Sequence, residues 1–176
     1  MSARLSRHFC LLDAGLCLAL FTGAVALRLL SGYGDVQADE LSWVWRGIRF
    51  RAALLMGDWS GTVYTGHPGV TTMAMGALAV HARAWIDAAA AAPAVEWLLR
   101  LAWLDPHNAE AFMYLGQFLT MGRALMAVIT ALGLVGVYLI GQRTLGRGAA
   151  WLGAAFIALD PFLSSLGGLM HVDSLL

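Results

Sequence analysis

Long apolar runs separated by short polar stretches dominate this chain. The first run covers 9–30 and the second covers 120–141. Each has the roughly 20 residues that an α-helix needs to cross the hydrocarbon core of a bilayer. A third run covers 149–168, and the start of a further span follows at 173. The pattern predicts an all-α protein with polytopic transmembrane helices.

The segment between the first two spans, 31–119, mixes polar loops with apolar stretches. Between 41 and 56, apolar residues recur with three arginines among them. This pattern favours a helix that lies on the membrane surface with its apolar side toward lipid. The sequence therefore predicts a long first loop that carries surface, or juxtamembrane, helices.

Charged residues interrupt the first apolar run at Asp13 and Arg28. Both lie near the ends of the run, so we expect their side chains to snorkel to the interface. Ala24-Val25-Ala26 resembles a signal-peptide cleavage site, which makes a cleaved leader the competing interpretation. The run is long for a signal and more spans follow, so we expect an uncleaved first helix.

The composition agrees with a membrane protein. Hydrophobic residues make up 60% of the chain and charged residues 12%, against about 45–50% and about 25% in soluble domains. Eleven basic residues balance eleven acidic ones, without a Lys/Arg cluster in the sequence. This composition argues against nucleic acid as a partner and predicts membrane lipids instead.

The arginines that flank the spans predict the orientation. They lie on one face if the first two spans are real, and the positive-inside rule places that face in the cytoplasm. The flanking residues are Arg4, Arg7, Arg143 and Arg147. The prediction is a multi-pass protein of the cell (inner) membrane with a cytoplasmic N-terminus. Four polar residues then share the external side: Asp39, Glu40, His67 and Asp173.

Two adjacent carboxylates, Asp39 and Glu40, follow the first span by a few positions. Ionisable side chains near lipid are costly and mark functional sites by default. The alternative interpretation is a plain solvated loop. His67-Pro68 in the same external segment either belongs to a site or simply begins a helix, since proline suits the first helical turn.

Several polar motifs follow one another in a set order along the chain. They are Asp39-Glu40, His67-Pro68-Gly69, Arg123 at the head of the second span, the basic turn 143–147, Asp160-Pro161, and the stretch 171–176. In order and placement they resemble the N-terminal part of the GT-C membrane glycosyltransferases. The similarity is to the protein O-mannosyltransferase and aminoarabinose-transferase type, also called dolichyl-phosphate-mannose-protein mannosyltransferase-like.

The resemblance implies a GT-C-like N-terminal portion that transfers sugar from a polyprenyl-phosphate donor with inversion. The acceptor would be a hydroxyl of a protein, lipid or glycan. Such a hydroxyl is a poor nucleophile, so a carboxylate must take its proton. The family pattern assigns that role to Asp39, while Glu40 orients the acceptor or pairs with a cation.

The resemblance also implies a set of substrate-binding residues. The departing prenyl phosphate needs a fixed cation, and Arg123 matches the family position for one. His67 would hold the loop against the site, and His171 and Asp173 belong to the last motif. A divalent metal follows from family analogy only, because the sequence has no His/Glu cluster with metal-ligand spacing. No other cofactor is implied.

One departure from the family pattern concerns Gly168, which stands where the family often has an arginine. Without that arginine, anion binding at this turn would be weaker, which raises the alternative of an inactive fragment. A non-catalytic polytopic protein, such as a transporter or scaffold, is the other alternative. We also expect the chain to be the N-terminal part of one longer integral-membrane domain, whose later spans would set the sugar and acceptor.

Overall fold

The computed structural model describes residues 11–31, 36–63 and 69–175. These residues form helices and connecting turns without a β-strand, which confirms the all-α prediction. Two short 3-10 helices, Ser60–Thr62 and Val172–Leu175, accompany the seven α-helices of the described ranges. The α-helices are α1 Leu11–Ser31, α2 Ala38–Met56, α3 Val70–Ile86, α4 Ala88–Arg100, α5 Ala109–Thr144, α6 Arg147–Leu159 and α7 Pro161–Leu166.

Two of these helices are long and apolar enough to cross a membrane. They are α1, with 21 residues, and α5, with 36 residues. At 1.5 Å per residue, α5 is about 54 Å long, so it extends well beyond a hydrocarbon core of about 30 Å. The predicted second span, 120–141, is therefore the later part of one longer helix.

The predicted third span, 149–168, is divided into two helices in the structure. Helix α6 has 13 residues and ends at Leu159, so it is shorter than the roughly 20 residues that a span requires. The side chain of Asp160 caps α7 by accepting the N–H of Leu163, and Pro161 occupies the first turn. Proline lacks the N–H that would continue a helix, which explains the break.

The buried side chains form two separate cores, and α5 belongs to both. The first, here called the tryptophan core, joins α2, α3, α4 and the first half of α5. Its large members include Trp43, Trp45, Ile48, Met73, Leu98, Phe118 and Met126. The second, here called the alanine core, joins α1, the second half of α5 and α6. Its buried members are Leu20, Ala24, Ala131, Leu134, Tyr138, Ala150, Ala154 and Ala158.

The alanine core has the small residues that let membrane helices approach closely. Around it, the helices α1, α5 and α6 expose apolar side chains, as expected of surfaces that face lipid. These exposed residues include Leu18, Leu30, Leu132, Val137, Ile140, Leu152 and Phe156.

Helix α2 differs from the surface helix that the sequence predicts. Its apolar side is buried within the protein, where Trp43, Val44 and Ile48 are at most 3% exposed. The indole N–H of Trp45 donates to the carbonyl of Leu98 at 3.4 Å. Amphipathic patterning shows that one side of a helix is covered, but it does not say whether lipid or protein covers it.

Asp13 and Arg28 also differ from the expectation, because both are buried rather than snorkelling. The phenol of Tyr138 donates to Asp13 Oδ1 at 3.1 Å, and Arg147 Nε lies 2.7 Å from the same oxygen. Arg28 donates to the carbonyl of Ala24 at 3.1 Å. Asp13 is thus satisfied by neighbouring helices, which a single-helix argument does not include, whereas the hydrogen-bond partner of Arg28 lies in α1 itself.

These contacts also fix the relative directions of the helices. Asp13, at the start of α1, bonds Tyr138 near the end of α5, so α1 and α5 run in opposite directions. Arg147, at the start of α6, meets the same carboxylate. At the other end of α1, Ser31 Oγ lies 3.3 Å from the carbonyl of Ser164 in α7. Helices α1 and α6 therefore run in the same direction, and α7 lies beside the end of α1.

Candidate functional site

The first turn of α2 presents Asp39 and Glu40 in two different environments. Glu40 accepts the backbone N–H of Gln37 at 3.2 Å, and the Gln37 side chain caps the helix in return. This reciprocal capping box anchors the helix start, where acidic side chains are also favoured by the helix dipole. Glu40 is completely buried, whereas the side chain of Asp39 is 58% exposed.

Glu40 is the centre of a buried ion pair. The guanidinium of Arg123 donates from Nε to Oε1 at 2.9 Å and from Nη2 to Oε2. The backbone N–H of Met170 also donates to Oε1, at 2.9 Å. These bonds connect α2, α5 and the segment after α7, which are far apart in sequence.

The hydrogen bonds decide the charge state of Glu40. Burial by itself raises the pKa of this carboxyl, but the donors Arg123, Met170 and Gln37 outweigh burial and hold its pKa below the ordinary value of 4.5. The carboxylate is therefore ionised at neutral pH. A carboxylate that is fully buried and accepts four hydrogen bonds is suited to holding structure together, and it matches the predicted pairing of Glu40 with a cation.

Asp39, one residue earlier, contacts His171. The imidazole Nε2 lies 2.9 Å from Asp39 Oδ2. On the other side of the ring, the backbone N–H of Asp173 donates to Nδ1 at 3.3 Å, and Asp173 Oδ2 lies 3.3 Å from the same nitrogen. The structure therefore brings together three of the residues that the sequence places in the site: Asp39, His171 and Asp173.

Two neighbouring contacts run in register between α2 and the segment after α7. Glu40 accepts the N–H of Met170, and Asp39 meets the side chain of His171. The first contact is buried and fixes the two backbones relative to each other. The second is open to solvent, since the side chains of His171 and Asp39 are 21% and 58% exposed.

A cavity of about 240 Å³ adjoins this pair. Its lining residues are Gln37, Phe162, Ser165, Leu166, Leu169, His171 and Asp173. Polar and apolar side chains thus meet in one open depression near the end of α1.

The structure also explains why a glycine stands at position 168. A Cβ placed there would lie 2.5 Å from the carbonyl oxygen of Arg28, so any side chain at 168 would force the backbones apart. Thr130 Oγ1 lies 3.0 Å from the carbonyl oxygen of Gly167 and holds the same turn on α5. The close approach of this turn to α1 was not detectable from the sequence, because a lone glycine does not reveal its neighbour.

Two further sequence predictions concern His67 and a metal. His67 lies outside the described residues, so its place relative to Asp39 stays a prediction. Within 11–31, 36–63 and 69–175, no group of three or more His, Cys, Asp or Glu side chains has the arrangement of a metal site.

Neither a protein-family model, nor a curated protein, nor a solved structure matches this chain. The resemblance to GT-C enzymes accordingly stays a prediction that rests on the residues quoted above. In the structure, the exposed Asp39–His171 pair lies next to the buried Glu40–Arg123 pair.

Proposed function

We propose that this chain forms part of a membrane glycosyltransferase that transfers a sugar from a polyprenyl-phosphate donor to an acceptor hydroxyl. The single observation that carries the proposal is the contact between Asp39 and His171, at 2.9 Å, beside a cavity. These residues are 132 positions apart. Two helices long enough to cross a membrane would keep the site near a lipid-borne donor.

Asp39 is the base in this proposal. As the acceptor oxygen attacks the anomeric carbon, its proton passes to the Asp39 carboxylate. The bond from that carbon to the phosphate oxygen breaks, and polyprenyl phosphate leaves with the electron pair. Because attack and departure occur on opposite faces, the anomeric configuration inverts. His171 orients the carboxylate through Nε2, and Asp173 holds the ring from Nδ1.

Glu40 and Arg123 support the site rather than react in it. The guanidinium of Arg123 donates to Glu40 from both Nε and Nη2. Because Glu40 is completely buried, it is out of reach of an acceptor. The pair holds Met170, and hence the next residue, His171, against the start of α2. Arg123 thus acts on the site through position, and the cation for the departing phosphate is a separate requirement.

The test is an isosteric substitution, Asp39→Asn, in the full-length protein. Removing the base should reduce sugar transfer by about 10²- to 10⁴-fold, measured with a polyprenyl-phosphate sugar in proteoliposomes. Glu110→Gln is the matched control, because Glu110 is an exposed carboxylate in the first turn of α5. Wild-type transfer by Asp39→Asn would overturn the assignment.

A transporter is the second candidate, favoured by a specific observation. Asp13 and Arg28 are buried within α1, and the apolar helix α6 is interrupted before α7. Buried ionisable groups and interrupted helices are features of transport sites. Both buried residues lie near the ends of α1, away from the midplane where such sites lie, which favours the enzyme. Substrate flux in liposomes by a protein without sugar transfer would reverse that preference.

A further inference from the structure

The cavity beside Asp39 is small, and its lining is partly apolar and partly polar. Its volume, about 240 Å³, is below the range of about 300–1,000 Å³ that encloses drug-sized ligands. It has room for a head group only, so the rest of a larger ligand would lie outside it. Its apolar lining is Phe162, Leu166 and Leu169, and its polar lining is Gln37, Ser165, His171 and Asp173.

An exposed apolar stripe leads to the apolar side of this cavity. Along α6, exposed residues recur at helical spacing: Leu152, Phe156 and Leu159. Beyond the break at Asp160, Phe162 in α7 is 72% exposed and also lines the cavity. An alkyl or prenyl chain on this stripe would thus end with its head group at the cavity.

The carboxylates at the polar side of the cavity favour an uncharged head group over an anionic one. Asp39 and Asp173 flank His171, so two carboxylates face one imidazole. Among the described residues that line the cavity, none is lysine or arginine. A phosphate here would face the carboxylate of Asp173 in the lining, with that of Asp39 beyond the His171 ring. An uncharged hydroxyl can instead donate to a carboxylate and accept from Gln37 or Ser165.

We propose that this cavity binds the acceptor, and that the acceptor is an amphiphile with an uncharged, hydroxyl-bearing head group on an apolar chain. This inference rests on the proposed function, since it names the substrate that Asp39 would deprotonate. The acceptor is thus a lipid rather than a protein or a free glycan. The phosphate of the donor then lies on the opposite face of the anomeric carbon, on the side that points away from Asp39.

The test uses two probes with the same chain, dodecyl glucoside and dodecyl phosphate, and the full-length protein in lipid nanodiscs. A photoreactive dodecyl glucoside should label the peptide that contains 162–169. Unlabelled dodecyl glucoside should displace it at a concentration at least about tenfold lower than dodecyl phosphate, because the carboxylates disfavour the anion. Asp173→Asn should narrow this difference by improving competition from the phosphate.

Phe162→Ala tests the apolar side of the cavity and should reduce the labelling about fivefold or more, through lost apolar contact. Phe162 is exposed, so the variant should fold. Trp85→Ala is the control, because Trp85 is an aromatic residue 87% exposed in α3 and does not line the cavity. It should leave the labelling unchanged.

Two results would overturn the inference. One is displacement by dodecyl phosphate at an equal or lower concentration, which would make the cavity a phosphate site. The other is labelling that Phe162→Ala leaves unchanged. Because the assay needs no sugar transfer, it separates the two proposals. Selective glucoside binding together with full activity of Asp39→Asn would remove the catalytic assignment and keep the lipid site.

Discussion

Two ion pairs, one beside each core, differ in how far they are closed to solvent. In the tryptophan core, the side chain of Glu40 is fully buried and that of Arg123 is 14% exposed. Beside the alanine core, the side chain of Asp13 is 8% exposed, but that of Arg147 is 45% exposed. One pair is enclosed at both ends, and the other is open at its arginine.

The difference teaches what each pair does for the molecule. An enclosed pair has lost its hydration, so each partner depends on the other and on its neighbouring N–H donors. Around Glu40 those donors come from Arg123, Gln37 and Met170, so the pair fixes the geometry of the adjacent site. An open pair exchanges with water at little cost, and the Asp13–Arg147 pair chiefly connects the ends of α1 and α6.

The largest expected effect comes from opening the enclosed pair with Arg123→Met. The change leaves the Glu40 carboxylate buried without its cation, so we expect a loss of about 3–5 kcal/mol in the free energy of unfolding. Equilibrium unfolding of the full-length protein in detergent micelles measures it. Met keeps much of the apolar stem of arginine, which limits the loss of packing.

Arg147→Met is the matched control for this prediction. Because the side chain of Arg147 is 45% exposed, its removal admits water to Asp13, which also keeps the phenol of Tyr138. We therefore expect a smaller loss, of about 1–2 kcal/mol. Equal losses in the two variants would contradict the distinction between an enclosed and an open pair.

The helical class and the two long helices were predictable from the sequence, because helix formation and hydrophobic length are local properties. The runs 9–30 and 120–141 correspond to α1 and the later part of α5. The division of the third run at Asp160 was also signalled locally, by a cap followed by proline. The predicted third span, 149–168, follows the length of the apolar run and passes over this turn signal.

The contacts of the candidate site were predictable only in part. The sequence predicts that Asp39 and Asp173 share one side of a membrane and that His171 belongs to the same site, but it does not predict the contact between His171 and Asp39. Likewise, Asp13 in an apolar run signals a partner, yet composition does not choose Arg147 among eleven basic residues. Long-range pairing depends on how helices pack, and helical periodicity does not say which faces meet.

The second effect concerns how closely the helices approach in the tryptophan core. A Cβ at Gly47 would lie 2.7 Å from the Cα of Gly76, so α2 and α3 touch through their backbones. Gly47→Ala should force them apart and cost about 1–3 kcal/mol of unfolding free energy, measured in the same micelles.

Gly133→Ala is the control for the glycine prediction. Gly133 lies in α5, and a Cβ there meets nothing within 4 Å. Alanine is the better helix former by about 1 kcal/mol, so this variant should be as stable as the wild type or more stable. A neutral Gly47→Ala variant would show that the two helices have room to separate.

The smallest expected effect is that of Tyr138→Phe, which removes one hydrogen bond to Asp13 and keeps the ring in the alanine core. Asp13 retains Arg147, and hydrogen bonds between membrane helices contribute about 0.6 kcal/mol on average. We therefore expect a loss of that size in unfolding free energy. Tyr114→Phe is the control, because the Tyr114 ring packs on Trp97 at a centroid distance of 5.2 Å and the substitution keeps that contact. A loss above about 2 kcal/mol for Tyr138→Phe alone would mean that Asp13 depends on this phenol. The Asp13–Arg147 pair would then depend on its neighbouring hydrogen bonds as strongly as the Glu40–Arg123 pair does, although the side chain of Arg147 is partly exposed.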